Sequence, residues 1–193
     1  MLQSKFSAQK FLLASQSPRR QELLKGLGID FEIVKIQSDE SYPSNLQRNE
    51  ITEHISANKA KAYFELKPNE ILITADTLVW LNGEVLGKPK NKEEAFSMIR
   101  KLSGCIHQVF TSVTVTSTEK AITFSDATDV EFDEFSGEEI NYYIENFNPF
   151  DKAGGYGIQD WLGYAKIKGI KGCYYNVMGL PLRKLYQVLQ TEF

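Results

Sequence analysis

The dipeptide Asn82-Gly83 constrains the fold more than any other feature of the chain. It directly follows residues 71–81, an apolar segment that predicts a long strand, and it precedes the short β-forming segment 84–86. Asn-Gly between two such segments is typical of a type I′ turn, which joins neighbouring antiparallel strands. A sheet built from parallel strands alone would not need this hairpin. The fold must therefore include an antiparallel pair of strands.

Helical and strand-like segments alternate along the rest of the chain, and this alternation indicates an α/β protein. The segments with helical spacing are residues 21–25, 51–66, 93–102, 137–146 and 181–190. The segments with strand character are residues 11–14, 31–36, 107–116 and 121–132, together with glycine-punctuated strands over 156–177. We therefore expect an α/β fold in which helices flank a mixed, twisted sheet of parallel and antiparallel strands, within one domain over residues 1–193. No GxGxxG or GxxxxGK[ST] motif is present, which argues against a dinucleotide-binding fold and a P-loop.

Composition limits the classes of function. The 193 residues are enough for one well-filled core or for two lobes sharing a sheet, and 42% apolar with 24% charged residues is typical of a soluble globular protein. The net charge of -3 argues against a nucleic-acid partner. Cys105 and Cys173 form no CxxC pair, and with only two histidines they do not predict a structural zinc site. Residues 10–14 are too short an apolar stretch for a signal peptide, and no run is long enough to span a membrane, so we expect a cytoplasmic protein.

The first candidate site follows the first predicted strand. Residues 11–14 lead into a polar turn, where Ser17 is suited to cap a helix and Pro18 to occupy its first position. Arg19 and Arg20 then fall in the first turn of that helix, where the helix dipole favours negative charge. Two arginines at this end indicate a multiply charged anion, for which a phosphate chain is the obvious candidate. The alternative is an ordinary solvated arginine pair.

The second candidate is Asp76, a carboxylate within the otherwise apolar or hydroxyl-bearing strand of residues 71–80. An ionised carboxylate in such a strand is costly unless a cation or several hydrogen-bond donors meet it. Asp76 is therefore a candidate metal ligand or general base, and the alternative is a strand-end aspartate that faces the solvent. Lys88, in the segment 87–89 after the hairpin, could return to the same region, although a lone loop lysine is usually solvated.

The third candidate is the glycine-rich segment of residues 151–159. Gly154, Gly155 and Gly157 indicate a backbone that lies against a ligand or another strand. The side chain of Gln159 carries both a donor and an acceptor, so it can accept from N3–H of uracil or thymine and donate to O4. The alternative is a surface glutamine beyond a flexible loop.

Together these segments resemble the motifs of the Maf family of nucleoside triphosphate pyrophosphatases. The five matching motifs, in order, are residues 14–20, 75–77, 87–89, Ser103-Gly104 with His107, and 151–159. The resemblance runs from about residue 12 to 182 and is strongest to the branch that hydrolyses dTTP and UTP. That branch is marked by an uninterrupted Ser-Pro-Arg-Arg, by a threonine after the catalytic aspartate and by a final glutamine, which here are residues 17–20, Thr77 and Gln159. Gln16 departs from the pattern, since a small residue is common there.

The resemblance implies both an activity and a set of residue roles. It implies an inosine-triphosphatase-like fold with a cleft between two lobes, and hydrolysis of dTTP and UTP to the monophosphate and pyrophosphate. Asp76 would be the catalytic residue and, with Glu40, would hold a divalent cation, Mg²⁺ or Mn²⁺. The residues implied to bind the substrate are Ser15, Arg19, Arg20, Lys59, Thr77, Lys88 and Gln159. On their own, Glu40 and Lys59 would pass for ordinary surface charges.

The resemblance leaves several points open. It suggests a homodimer, and the natural substrates could include modified pyrimidine nucleotides. One alternative is a pyrophosphatase with a different base specificity. Another is a nucleotide-binding regulator of cell division with little catalysis, although Asp76 and Lys88 count against an inactive binder.

Overall fold

Strands and helices alternate along residues 2–193, the part of the chain that the computed structural model describes. The strands are β1 (Lys10–Leu13), β2 (Phe31–Ile33), β3 (Glu70–Leu81), β4 (Glu84–Leu86), β5 (Ile106–Thr116), β6 (Ala121–Phe132) and β7 (Ile167–Lys171). The helices are α1 (Leu2–Lys5), α2 (Pro18–Gly26), α3 (Asn49–Lys61), α4 (Lys92–Leu102), α5 (Gly137–Phe147), α6 (Trp161–Lys166), α7 (Tyr174–Met178) and α8 (Leu182–Thr191). Two short 3₁₀ turns, Pro149–Asp151 and Ala153–Gly155, lie between α5 and α6. None of the helices in this part of the chain could cross a lipid bilayer.

The strands form a mixed sheet, as the sequence predicts. Their order is β2-β1-β3-β5-β6-β7, with β4 paired to β3 beside this path. Strand β1 runs parallel to both β2 and β3, whereas β4 is antiparallel to β3 and β7 is antiparallel to β6. The predicted α/β fold with a mixed sheet flanked by helices is therefore confirmed.

The turn between β3 and β4 has the predicted geometry. Asn82 has a φ of 50° and Gly83 a φ of 89°, and a type I′ turn requires positive φ at both central residues. The hairpin register pairs Leu81 with Glu84 directly across the turn. The dipeptide thus fixes the antiparallel part of the sheet from local sequence alone.

The chain divides into two compact units. The first comprises the residues up to Asp76, Thr111–Asp126 and Gly179–Phe193, and the second comprises Thr77–Phe110 and Ala127–Met178. The boundary within β3 falls between Asp76 and Thr77.

Each unit has its own buried apolar core. In the first unit, Leu12 of β1, Ala60 of α3 and Leu72 of β3 form a buried cluster. In the second unit, Ile99 of α4 and Ile140 of α5 are fully buried. The parallel strands β1 and β3 are therefore held together in the first unit by the packing of α3 onto them.

The prediction of glycine-punctuated strands over residues 156–177 is wrong for most of that segment. It contains two helices, α6 and α7, and only the five-residue strand β7. Gly163 lies inside α6, where a Cβ would overlap the carbonyl group of Ile158. This glycine therefore permits a close contact between a helix and a loop rather than interrupting a strand.

Three further elements differ from the predictions. Helix α3 ends at Lys61 rather than at residue 66, and Tyr63 and Leu66 pack against the core from an irregular segment. Strand β2 ends at Ile33 rather than at residue 36, although the Val34 N–H still donates to the Leu13 carbonyl. Helix α1 has no counterpart in the predictions. In the first two cases apolar spacing extends beyond the regular element because packing continues without regular backbone geometry.

Candidate active site

The centre of the site in the first unit is Lys59, which contacts two carboxylates. Its Nζ lies 2.9 Å from Oδ1 of Asp76 and 2.8 Å from Oε1 of Glu40. The side chains of Lys59 and Asp76 are only 14% and 16% exposed, whereas that of Glu40 is 58% exposed. Three residues separated widely along the chain are therefore brought to one point, and two of them are the predicted metal ligands.

Asp76 occupies the middle of β3 rather than its end. The neighbouring Ala75 is almost fully buried, and the carboxylate of Asp76 is paired with the Lys59 ammonium group. An ionised carboxylate in an apolar strand needs a nearby cation or several hydrogen-bond donors, and the Lys59 ammonium group is such a cation. The alternative of a strand-end aspartate facing the solvent does not agree with this position.

The donor set at this point suits a hard divalent cation. Asp76 and Glu40 both contact the same ammonium group, so their oxygen atoms are neighbours. Among residues 2–193, no three His, Cys, Asp or Glu side chains form a group that could hold a metal by themselves. Mg²⁺ is usually held by one or two carboxylates, with water and substrate phosphates completing its coordination. Two adjacent carboxylates without a larger cluster fit that mode of binding.

Arg20 is held beside Asp76 by backbone contacts. Its Nε donates to the carbonyl of Gly179 at 2.8 Å, and its Nη1 donates to the carbonyl of Ala75 at 3.0 Å. Burial lowers the pKa of the Arg20 guanidinium, and the charge of Asp76 opposes that shift. Because an arginine remains charged in proteins, a fixed positive charge lies next to the strand carboxylate.

The turn before α2 is organised by Ser15. This side chain is buried, accepts from the Ser17 N–H at 3.2 Å and contacts Nη1 of Arg20 at 3.5 Å. Ser17 occupies the N-cap position and Pro18 is the first helical residue, as predicted, but the Ser17 hydroxyl makes no capping hydrogen bond. The prediction that Ser17 caps the helix through its side chain is therefore wrong, because Ser15 rather than a capping bond orders this turn.

A ladder of buried hydroxyl groups joins α3 to the sheet within the first unit. Thr74 donates to the Ser56 carbonyl at 2.7 Å, and the Ser56 hydroxyl lies 3.1 Å from that of Thr114. One helical turn earlier, the hydroxyls of Thr52 and Ser112 are 2.6 Å apart. All five residues are buried, so these hydrogen bonds are shielded from water and specify one register of α3 against the strands.

This hydroxyl ladder explains how Lys59 meets Asp76. Lys59 follows Ser56 by one helical turn, and Asp76 follows Thr74 by two residues on the same face of β3. The hydrogen bond between Thr74 and Ser56 therefore fixes the helix and the strand next to the point where the two charges pair.

Of the other predicted residues, Arg19 lies in α2 of the first unit, and Thr77, Lys88 and Gln159 belong to the second unit. Lys88 is exposed, and the carbonyl of the preceding Gly87 accepts from the Gly154 N–H at 2.9 Å. Gly154 has a φ of 70°, and a Cβ there would lie 2.9 Å from Cγ2 of Val79 on β3. The glycine-rich segment was expected to lie against a ligand or against another strand, and this contact with β3 supports the second interpretation.

Gln159 is half-buried, and its Oε1 is a buried acceptor with no hydrogen-bond partner in the described part of the chain. An unpaired buried acceptor is unusual in a native protein and needs an explanation. A ligand that donates one hydrogen bond would satisfy it.

The comparisons with known proteins identify the family. Residues 10–192 match the family model described as Maf-like protein. The chain belongs to the Maf family. The dTTP/UTP pyrophosphatase of Bacteroides thetaiotaomicron is 54% identical over 183 residues, which cover 94% of this chain and 95% of the relative. The resemblance found in the sequence is confirmed.

Two further relatives of this Maf chain carry the same name. The dTTP/UTP pyrophosphatase of Phocaeicola vulgatus is 50% identical with the same coverage, and that of Flavobacterium psychrophilum is 48% identical over 98% of this chain and 97% of the relative. Among solved structures, a HAM1 protein from Coxiella burnetii aligns with 64% of this chain and 73% of its own at 14% identity and a TM-score of 0.45.

Two buried polar residues of the Maf chain did not stand out in the sequence. Lys152 is 8% exposed, and its Nζ lies 2.9 Å from the Asn148 carbonyl and from Oδ1 of Asp151. Tyr143 is fully buried, and its hydroxyl donates to Oδ2 of Asp160 at 3.0 Å. In the sequence, Lys152 is only a lysine beside the glycines, and Tyr143 is only a tyrosine on the apolar face of a helix. Both patterns are common at positions that have no functional role.

Proposed function

We propose that this protein hydrolyses dTTP and UTP between the α- and β-phosphates and releases the nucleoside monophosphate and pyrophosphate. The observation that carries the proposal is the contact of Lys59 with both Asp76 and Glu40, beside the fixed guanidinium of Arg20. Two cations and two oxygen ligands for a divalent metal would stabilise the charge that develops when a phosphoanhydride is hydrolysed. The names of the close relatives support the same reaction.

The cationic residues bind the triphosphate in this proposal. Arg20 and Lys59 are fixed in place, and the hydrogen bond from Ser17 N–H to Ser15 orders the turn that carries Arg19. Together with Lys88 they neutralise the phosphates and the charge that develops on the leaving pyrophosphate.

Asp76 and Glu40 would hold the divalent cation, Mg²⁺ or Mn²⁺. When bound, such an ion offsets phosphate charge and polarises the phosphoanhydride. Asp76 accepts the proton of the attacking water at its carboxylate, and Lys59 keeps that carboxylate oriented toward the substrate. Glu40 is the more exposed of the two acids and completes the oxygen ligands.

Gln159 and Thr77 read the base in this proposal. The unpaired Oε1 of Gln159 accepts from N3–H of uracil or thymine, and the Nε2 group donates to O4. Cytosine has an unprotonated N3 and an amino group at C4, so it mismatches both positions. A glutamate at this position could not donate to O4 and would instead suit the two donors that guanine presents at N1 and N2.

The test is a panel of dTTP, UTP, CTP and a methylated GTP, assayed by pyrophosphate release with Mg²⁺, with Asp76→Asn as the control. We expect kcat/KM to be highest for dTTP and UTP, and Asp76→Asn to lower turnover by about a hundredfold or more. Preference for CTP or the guanine nucleotide would refute the base-reading assignment. Modified pyrimidine triphosphates in the same panel would define the natural substrate.

The panel also tests the alternative of a nucleotide-binding regulator, which would bind the same nucleotides without releasing pyrophosphate. The paired, half-buried Asp76 and Lys59 favour the enzyme, because a binding protein has no need of a carboxylate beside the phosphate-binding cations. We further propose that residues 1–193 act as one functional domain, in the cytoplasm and as a homodimer, with no nucleic-acid or membrane partner.

A further inference from the structure

We propose that Tyr143 is a positioning residue that holds Gln159 for base recognition and thereby sets the preference for uracil and thymine over cytosine. The proposal rests on the function proposed above. Nothing in the sequence motifs assigns this tyrosine a role, and all the contacts that carry the inference lie within the second unit.

The hydroxyl of Tyr143 closes the turn that contains Gln159 from both ends. It accepts from the Gly157 N–H at 2.9 Å and donates to Oδ2 of Asp160 at 3.0 Å. The Asp160 N–H in turn donates to the Gly157 carbonyl at 3.1 Å. Residues on both sides of Gln159 are therefore tied to one phenol group.

Tyr143 is well suited to act as a fixed point. It lies on α5, its side chain is fully buried, and its ring stacks on Phe147 with centroids 5.4 Å apart and an interplanar angle of 11°. Burial raises the pKa of the Tyr143 hydroxyl, so the group remains a neutral donor throughout the physiological range. A buried aromatic ring loses little further freedom when its hydroxyl binds the turn.

Lys152 lies beside Asp160, the acid that accepts the hydrogen bond from the Tyr143 hydroxyl. Its Nζ lies 3.6 Å from Oδ2 of Asp160, and the two side chains are 10% and 17% exposed. The same ammonium group contacts the Phe147 and Asn148 carbonyls at the end of α5. The charge of Asp160 is thus offset by a cation anchored on the helix that carries Tyr143.

Gln159 depends on this turn for its orientation. Its Oε1 has no protein hydrogen-bond partner within residues 2–193, so no bond to that oxygen holds the amide in place. Reading N3–H and O4 together requires donor and acceptor to sit at hydrogen-bond distance at the same time. A turn that loses its tie to α5 would no longer present both groups, and discrimination against cytosine would fall.

The experiment measures kcat/KM for UTP and CTP in the wild-type protein, Tyr143→Phe and Tyr156→Phe. The matched control, Tyr156, is also a buried tyrosine of the second unit, but its hydroxyl contacts Nε2 of His107 at 2.6 Å and not the turn. We expect Tyr143→Phe to lower the ratio of UTP to CTP by about tenfold or more. Tyr156→Phe should lower the melting temperature yet leave the ratio within about twofold of wild type. An unchanged ratio in Tyr143→Phe, or an equal fall in both variants, would overturn the proposal.

A double-mutant cycle tests whether Tyr143 acts through Gln159. In a Gln159→Ala background, Tyr143→Phe should produce no further fall in the ratio, because the group it positions is gone. A full additional fall there would overturn the proposal. If Tyr143→Phe does not fold, Asp160→Ala removes the acceptor of the same hydroxyl and is expected to lower the ratio, and an unchanged ratio in that variant would likewise overturn the proposal. Loss of the preference in Gln159→Ala alone tests the base-reading assignment, which can therefore fail independently of Tyr143.

Discussion

At the scale of single residues, the central feature of the candidate site is the charge balance around Lys59. One ammonium group holds two carboxylates, and two of the three side chains are largely shielded from water. Removal of one member of such a group leaves the others uncompensated, which costs more than the loss of an exposed pair. We therefore propose that the Lys59 ammonium group has both a structural and a functional role.

We expect Lys59→Met to lower kcat/KM for UTP by about a hundredfold or more, since it removes a phosphate-binding cation and releases Asp76 from its partner. The control is Lys61→Met, an exposed lysine near the end of the same helix, which should retain near-normal activity. Steady-state kinetics on both variants check this expectation. Equal losses in the two variants would show that a general change in charge, and not the contact with Asp76, is responsible.

A second residue-scale prediction concerns His107. Burial lowers its pKa from 6.5 to about 4, while the charge of Asp129 opposes the shift, and Nε2 is bonded to the Tyr156 hydroxyl. In the unfolded chain this histidine binds a proton near pH 6.5, whereas in the folded protein it binds one only when the pH falls toward 4. Stability from this group is therefore complete above pH 6.5 and is lost as the pH falls toward 4, by up to about 3 kcal/mol.

Urea unfolding at several pH values between 4 and 7 measures this effect. His107→Gln cannot titrate, so its free energy of unfolding should fall less steeply with decreasing pH than that of the wild type. Parallel curves for the two proteins would contradict the assignment of a buried neutral histidine.

At the scale of elements, the sequence predicted best where a local signal decides the backbone. Asn82-Gly83 specifies its turn by positive φ, and α4 and α5 begin where Asn91 and Ser136 cap them, the latter in a reciprocal capping box with Glu139. The sequence predicted worst over residues 156–177, where glycines serve close packing and no periodic pattern distinguishes short helices from strands. Packing contacts of this kind depend on residues distant in sequence, which a single segment does not reveal.

The hydroxyl ladder leads to an element-scale prediction. Thr74→Val has nearly the same shape but removes the hydroxyl that donates to the buried Ser56 carbonyl, which should lower the free energy of unfolding by about 1 kcal/mol. Because α3 then loses its register beside Asp76, kcat should also fall. Thr74→Ser keeps the hydroxyl and should retain both the stability and the kcat of the wild type. Thr52→Val removes the equivalent bond one turn farther from Lys59 and provides the matched control. If Thr52→Val lowers kcat as much as Thr74→Val, the ladder stabilises the protein without positioning the site.

At the scale of the whole molecule, the predicted site residues fall into two groups. The first unit contains Ser15, Arg19, Arg20, Glu40, Lys59 and Asp76, and the second contains Thr77, Lys88 and Gln159. Motif spacing identified the residues that we propose to bind phosphate and base, since their chemistry is visible in the side chains. It did not identify Tyr143 and Lys152, because their partners are backbone atoms and an acid on another element.

The most direct test of the account is product analysis with UTP and Mg²⁺ in the wild-type protein and in Asp76→Asn. We predict stoichiometric UMP and pyrophosphate from the wild type, and a loss of turnover of about a hundredfold or more in the variant with the same products. Release of UDP and phosphate, or wild-type turnover in Asp76→Asn, would contradict the central claim that the strand carboxylate beside Lys59 directs hydrolysis of the α-β phosphoanhydride.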